Sequence, residues 1–481
     1  MVLFSKVTPS NTANELLIMS TIQSYIDLIH EKFPSISVEV LHKLWEECHS
    51  EEKKEKEQLI PHPVLTFFKT YHKKNIPLYD TIQEEKIEYR RIFLQKWYST
   101  PFMTVPLFPI APSPVVSPPR SQLDNELLDM KKKIDLFHQF DPIKEKFYYS
   151  MSRLMDPFAF YKKKVQHLVY PNHSMTNAWL KCWEMIHTFE LVPREGHFNV
   201  FCNAEFPGAF LFAINHLVRT KTRATFDWTA NSLYPIDKNG SVLGDTFGLY
   251  RRYPQKWCMD ATHSGDVTKQ ETIQRIKERC GRSVDLYTSD IGMEMTHDTF
   301  EKQETLEAPL HLGQVVCGLH VLRTGGNLVC KTFMFFSPFS ISLLYLMSQC
   351  FEEFYITKPE TSRPLNSEVY VVGKRFRIRE DIVTQLEEIL FSWKEEYMDN
   401  YIVPLPEDFY LSVWMASHRI FGRQIEYITS MIDTVGHHFS QGLKPDFFSV
   451  QHYPLCKKEQ ERLRTWVQRY PIPPLGKEYS L

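Results

Sequence analysis

Lys331 interrupts an apolar run, GGNLVCKTFMFF (residues 325–336), and a charge in such a place needs a reason. Burying an ammonium is costly unless it is paired or gives up its proton. Two readings are open. Either the strand stops at Cys330 and the Lys331 stem snorkels to water, or the amine is held at a working position. Two carboxylates occupy comparable places. The run VDLYTSD ends in Asp290, and EVYVVGKRF begins with Glu368. An amine flanked by carboxylates that accept its hydrogen bonds can orient a hydroxyl or take its proton, which is general-base chemistry. A metal is not expected. The 9 cysteines are scattered without Cys-x-x-Cys spacing, and no histidine pair joins them at zinc spacing.

These residues need elements that bring them together. From about 172 to 376, short apolar runs alternate with helical stretches. HFNVFC, ATFDW, VDLYTSD, NLVCKTF, EEFYIT and EVYVVG read as strands. TNAWLKCWEMIHTF, GAFLFAINHLV, KQETIQRIKERC, LHLGQVVCGLHVLR and SISLLYLMSQCF read as helices. Such alternation predicts an α/β fold with a mostly parallel sheet covered on both faces. Ligands then bind beyond the carboxyl ends of the parallel strands, where Asp290 and Lys331 lie. The last two strands are joined by about ten residues, too few for a parallel crossover. The final strand is therefore expected to run antiparallel, which returns its first residue, Glu368, to that same edge.

Residues 172–376 resemble the FtsJ-like RNA ribose 2′-O-methyltransferases, nearest to the group found in large DNA viruses, of the African swine fever virus type. The resemblance is carried by FCNAEFPGAFLFAINH, LYTSDIGME, GGNLVCKTF and ITKPETSRPLNSEVYVVGK. It implies a Rossmann-like methyltransferase sheet and a Lys-Asp-Lys-Glu tetrad. The first lysine comes from an A-x-x-K pattern, met here in NAWLK as Lys181. The tetrad would be Lys181, Asp290, Lys331 and Glu368. Lys331 would orient the ribose hydroxyl or act as base, with Lys181 as a nearby like charge lowering its pKa.

The implied cofactor is S-adenosylmethionine, held by the loop Asn203, Ala204, Glu205, Phe206, Pro207 and Gly208. Phe206 and Ala209 depart from the small residue and the glycine usual in the family. Asp266 resembles the acid that contacts adenine, or is a helix cap before KQETIQRIKERC. Asp227 reads as a cofactor-ribose ligand or a surface acid. The implied substrate is RNA, with the first transcribed nucleotide of capped mRNA as target (cap 1 formation) or a non-mRNA target as the alternative. RRYPQKW and GKRFRIRE interleave cations with aromatics. With the S-R-P motif they nominate Arg251, Arg252, Arg363, Lys374 and Arg375 for RNA contact. His311 and His320 read as core or boundary residues of one apolar helix. The rival from another class is a catalytically silent scaffold or capping-complex subunit.

The bulk numbers agree with a soluble protein. Of 481 residues, 56 are Lys or Arg and 58 Asp or Glu, so a nucleic-acid site must be local. The N-terminus lacks a signal-peptide pattern. Residues 332–351 have the length of a membrane span, but Pro338 and several serines favour strand, turn and buried helix. A cytoplasmic setting follows, in the host or a virion if the protein is viral. The expected organisation is a helical module over 1–99, a proline-rich linker over 100–120, a helical connector over 121–171, the methyltransferase domain over 172–380 and a helical extension over 381–481. The helical flanks are candidate surfaces for a protein partner.

Overall fold

A computed structural model describes residues 104–106, 115–116, 122–135, 142–169, 175–234, 244–293, 302–446, 450–479 and 481. The helical module expected over 1–99 lies outside them. In chain order the strands are β1 (Thr104–Pro106), β2 (Val115–Val116), β3 (His197–Asn203), β4 (Thr225–Ala230), β5 (Val284–Ser289), β6 (Leu322–Phe333), β7 (Phe351–Thr357), β8 (Glu368–Phe376) and β9 (Leu405–Pro406). The helices are α1 (Gln122–Asp135), α2 (Pro142–Met155), α3 (Pro157–Val165), α4 (Asn177–Thr188), α5 (Ala209–Lys221), α6 (Leu249–Arg252), α7 (Gln270–Cys280), α8 (Gln303–Val321), α9 (Pro338–Gln349), α10 (Glu380–Phe391), α11 (Glu407–Ser440) and α12 (Pro454–Arg469).

Seven strands form one sheet in the order β1-β7-β8-β6-β5-β3-β4. β4, β3, β5 and β6 pair in parallel, and β8 enters antiparallel between β6 and β7. The short β7–β8 connection has the consequence expected of it. The order reverses beside β3, because β4 lies on one side of it and β5 on the other. That reversal opens a crevice at the carboxyl edge.

Alternation along the strands assigns the faces. Val200, Cys202, Leu286, Val329, Tyr370 and Val372 join one core with Leu180 and Trp183 of α4 and Leu211 and Ile214 of α5. Phe201 and Tyr287 stack on the other face, where Gly318 of α8 lies so close that a Cβ would come 2.8 Å from the Tyr287 ring. Local signals start the helices. Thr176 caps α4 through Trp179 N, Asp156 caps α3 through Phe158 N, and Ser337 caps α9 through Ser340 N. The span-length stretch 332–351 is thus a strand end, a turn and a capped helix. No described helix is long and apolar enough to cross a membrane.

The flanks are built into the same body. Thr100–Leu481 clusters as one compact unit. Thr104–Pro106 adds an edge strand to β7, and Val115–Val116 pairs with β9, so parts of the proline-rich stretch are paired backbone. α10 packs on α8, and α1 and α2 pack on α11. Tyr148, Met151 and Met155 of α2 share a second core with Met431 and Val435 of α11. Trp466, Tyr470 and Ile472 belong to the main core.

Candidate active site

Register decides which side chains meet. In β6 and β8, Lys331 stands opposite Tyr370 and Phe333 opposite Glu368, and opposed residues share a face. Tyr370 lies on the α4/α5 face, so Lys331 and Glu368 do too. Thr288 of β5 is in register with Val329, which places Asp290, two residues on, over the same face. α4 brings Lys181 from above. The snorkelling alternative for Lys331 fails, since the strand continues to Phe333 and Lys331 is 9% exposed.

The four residues form two pairs. Lys181 Nζ donates to Glu368 Oε1 at 2.9 Å and Oε2 at 3.0 Å, both side chains buried. Lys331 Nζ donates to the Asp290 carbonyl at 2.8 Å and lies 3.3 Å from Asp290 Oδ1. Tyr370 bridges them. Its hydroxyl donates to Asp290 Oδ1 at 2.6 Å, and Lys181 Nζ sits 5.5 Å from its ring centroid. Lys181 is therefore not a bare like charge facing Lys331, because Glu368 compensates it.

Burial acts to raise the Glu368 pKa, but Lys181, Lys358 and the Ser362 hydroxyl outweigh it and hold the carboxyl down at about 2. Burial acts to lower the Lys181 pKa, but Asp290 and Glu368 raise it above the ordinary lysine value. Lys358, at the end of β7, was not singled out in the sequence. Its Nζ donates to the Asn366 carbonyl at 2.7 Å and the Glu368 carbonyl at 2.9 Å. Burial pushes its pKa down to about 7. Ser362 Oγ donates to Glu368 Oε1 at 2.6 Å. Glu184, one turn beyond Lys181, accepts from Glu360 N at 2.7 Å and Thr361 N at 3.2 Å. The whole 358–368 loop is thereby tied to α4. A signal for Lys358 existed: like Lys331, it is a lysine at the end of an apolar strand.

The crevice beside β3 fits S-adenosylmethionine. Gly208 opens α5 at φ +117°, and a Cβ there would come 2.9 Å from Phe212 and 3.0 Å from Leu249. Asn203 Nδ2 donates to Ser289 Oγ at 3.1 Å, and Asn231 Nδ2 donates to Asn203 Oδ1 at 2.9 Å. Asn231 Oδ1 is buried without a partner, a polar atom left for a ligand. Glu205 accepts from Leu211 N at 2.8 Å, and burial lifts its pKa to about 8. Phe206 is partly buried against the main core. Its ring packs on Trp257 at 4.7 Å and on Tyr250 at 6.3 Å. Ala204 takes φ 51° and Pro207 follows a cis bond. Asp266 Oδ1 accepts from Thr268 N at 3.0 Å in a turn, while the N-cap of α7 is Lys269. The helix-cap alternative for Asp266 is therefore excluded. Asp227 is exposed and paired with Lys256, a surface acid. His311 and His320 are buried, and His311 is pushed down to about 3 by burial and Lys331.

The residues nominated for RNA contact scatter. Arg363 lies in the loop that carries Glu368, 4.0 Å from Asp156. Arg251 and Arg252 form α6, beside Gly208. Arg252 holds the Leu481 carbonyl at 2.6 Å, so its guanidinium is engaged in structure. Lys374 and Arg375 lie apart from the tetrad. β8 carries them to the opposite edge of the sheet, roughly 20 Å from Glu368 by strand rise. There Arg375 is paired with Glu352 and Glu353. The antiparallel run that brings Glu368 to the site takes them away from it.

The model of the FtsJ-like methyltransferase family matches residues 175–376. A protein of African swine fever virus (isolate Pig/Kenya/KEN-50/1950), named a probable methyltransferase, is 34% identical over 331 residues, covering 66% of this chain and 76% of that protein. An uncharacterised protein of Acanthamoeba polyphaga mimivirus is 32% identical over 251 residues, 51% of this chain and 31% of its own. The cap-specific mRNA (nucleoside-2′-O-)-methyltransferase 2 of Danio rerio is 34% identical over 225 residues, 45% of this chain and 30% of its own. The chain is an S-adenosylmethionine-dependent methyltransferase and belongs to the FtsJ-like family.

Proposed function

We propose that this enzyme methylates a ribose 2′-hydroxyl at the capped 5′ end of mRNA, at the first transcribed nucleotide. The observation that carries the reading is the convergence of the Lys181–Glu368 and Lys331–Asp290 pairs on one face of the sheet, beside the crevice. The cap-specific name of the Danio rerio relative supports the substrate. The similarity to a viral protein supports a viral origin, with action in the host cytoplasm or the virion.

This reading gives each member of the tetrad a role. S-adenosylmethionine supplies an electrophilic methyl group, so the reaction needs an oriented hydroxyl more than a strong acid. An ammonium or amine has limited directions for hydrogen bonding. Asp290 fixes those of Lys331 through its carbonyl and carboxylate. Lys331 would orient the ribose hydroxyl and, as the neutral amine, would take its proton during methyl transfer. Lys181 and Glu368 form the wall that keeps the hydroxyl in line. Asn203, Glu205, Gly208 and Asp266 hold the cofactor.

The test is transfer of a labelled methyl group to a short capped RNA and its uncapped twin, followed by nuclease mapping of the labelled ribose. The wild type is expected to label the first ribose of the capped RNA. Lys331→Ala is expected to lose at least about a hundredfold in kcat, the scale of a lost base, with cofactor binding retained. Equal transfer to both RNAs would remove the cap assignment. Transfer that survives Lys331→Ala undiminished would remove the lysine from the chemistry.

A further inference from the structure

The proposed function leaves the path of the RNA open, and the helices that precede the family-matched region address it. Phe158, Tyr161 and Val165 turn one side of α3 into the core, with Phe158 edge-on to Trp466 at 5.6 Å. That spacing sends Phe160, Lys163 and Lys164 outward together, and Phe160 is 43% exposed. Arg153, in the last turn of α2, is also exposed. Lys162 points sideways and donates to the Asn177 side chain. Asn177 lies four residues before Lys181, one turn along the same face of α4. On the far side, Arg363 reaches toward the Asp156 cap of α3 from the loop that ends in Glu368. Across residues 146–168 the sequence holds five Lys or Arg and a single acid, Asp156. That acid is occupied as a helix cap, accepting from Phe158 N at 3.0 Å.

We propose that the outward face of α2 and α3, with Arg153, Lys162, Lys163, Lys164 and Arg363, is a docking surface for the phosphate backbone of the RNA whose 5′ end enters the tetrad. The inference rests on the RNA-methylating reading of that site. Three features support it. The positive face begins one helical turn from Lys181. It carries five cations to one acid over residues 146–168. It carries an aromatic ring among its cations, which suits single-stranded RNA, where bases stack on aromatics and phosphates pair with lysines. Burial depresses the Lys162 pKa; Asp156 acts against that, while Arg363, Arg153 and Lys181 add to it, as expected where cations outnumber anions. A polyanion would relieve that crowding. Every cation of the surface except Arg363 lies outside residues 175–376, so the generic domain alone does not provide it.

The experiment compares the full chain with a triple variant, Arg153→Ala/Lys163→Ala/Lys164→Ala, all three positions being exposed and outside the tetrad. Lys374→Ala at the opposite edge is the control. Binding of a fluorescent capped oligoribonucleotide is followed by anisotropy over a salt series, beside methyl transfer. The triple variant is expected to bind at least about tenfold more weakly, with a log–log salt slope smaller by about 2, since each single-strand phosphate contact contributes about 0.7. The KM for RNA should rise while kcat stays within about twofold, as for lost uniform binding. The control should match the wild type, and thermal melting should show all variants folded. Wild-type affinity and salt slope in the triple variant would overturn the inference while leaving methyl transfer intact. Wild-type RNA binding that is lost in the variant, without any methyl transfer, would keep the surface and sink the cap reading. No RNA binding by the wild type would sink both.

Discussion

At the scale of single residues, the site is held by charges that are safe only together. Lys181 and Glu368 are both buried; Lys181 is the leading compensation of Glu368, and Asp290 and Glu368 together compensate Lys181. Removing one partner of such a pair leaves a buried charge and costs about 3–5 kcal/mol, whereas replacing both by apolar groups can be neutral or stabilising. Here the cost of Lys181→Met should fall toward the lower end, because the Ser362 hydroxyl still donates to the Glu368 carboxylate and the Lys358 charge still stabilises it. Glu368→Leu should fall nearer the upper end, since it strips Lys181 of both its hydrogen bonds. The double variant Lys181→Met/Glu368→Leu is expected to recover stability relative to Glu368→Leu and to transfer no methyl group. Urea denaturation of the four proteins, read beside activity, measures this. A double variant whose destabilisation equals the sum of the singles would mean that the pair contributes no coupling and that its place is set by other contacts.

At the scale of elements, the loop from β3 into α5 joins cofactor chemistry to folding through Glu205. Its folded pKa of about 8 lies above the unfolded value near 4.5, chiefly because of burial. The folded state therefore holds a proton that the unfolded state has lost between those two values. The stability gained from that proton is full below about pH 4.5 and is lost as pH rises through 8, with a slope of at most about 1.4 kcal/mol per pH unit. Glu205→Gln keeps the acceptor for Leu211 N and does not titrate. It should flatten the fall in Tm between pH 5 and 8 relative to the wild type, while Glu184, near 7 in the same window, acts equally in both proteins. Parallel curves for the two would show that Glu205 is ionised in the fold. The same scale shows what the sequence made legible. Six strands and the meeting of Asp290, Lys331 and Glu368 could be read from strand ends and one short connection. β1 and β2 could not, because prolines and two- or three-residue pairings leave no period to detect. That Lys374 and Arg375 lie at the edge opposite Glu368 was not legible, because a basic-aromatic pattern carries no information about which edge of the sheet it reaches. Tyr370 and Ser362 stood inside the family-like segment, yet their contacts depend on register and loop folding, which residue types do not disclose.

At the scale of the whole molecule, the C-terminal helix is a structural part of the active site rather than an appendage. Trp466 of α12 is fully buried and packs on Phe158 and Tyr470. Its indole Nε1 donates to Glu184 Oε2 at 2.9 Å. Glu184 in turn fixes the backbone at 360–361, in the loop that ends in Glu368. The chain beyond α12 continues the clamp, with the Tyr470 carbonyl accepting from Trp183 Nε1 and the Pro473 carbonyl meeting His216. Two substitutions separate packing from hydrogen bonding. Trp466→Phe keeps most of the apolar volume but leaves a buried carboxylate one donor short, at a cost of about 1–3 kcal/mol. Trp466→Ala adds a cavity and should cost about 3–5 kcal/mol, several degrees in Tm. If the clamp transmits to the tetrad, Trp466→Phe should also lower kcat at a temperature where it remains folded, because Glu184 no longer holds the 360–368 loop at one distance from Lys181. Normal kcat in Trp466→Phe would confine the tryptophan to stability and leave Lys358 and Ser362 as the supports that position Glu368.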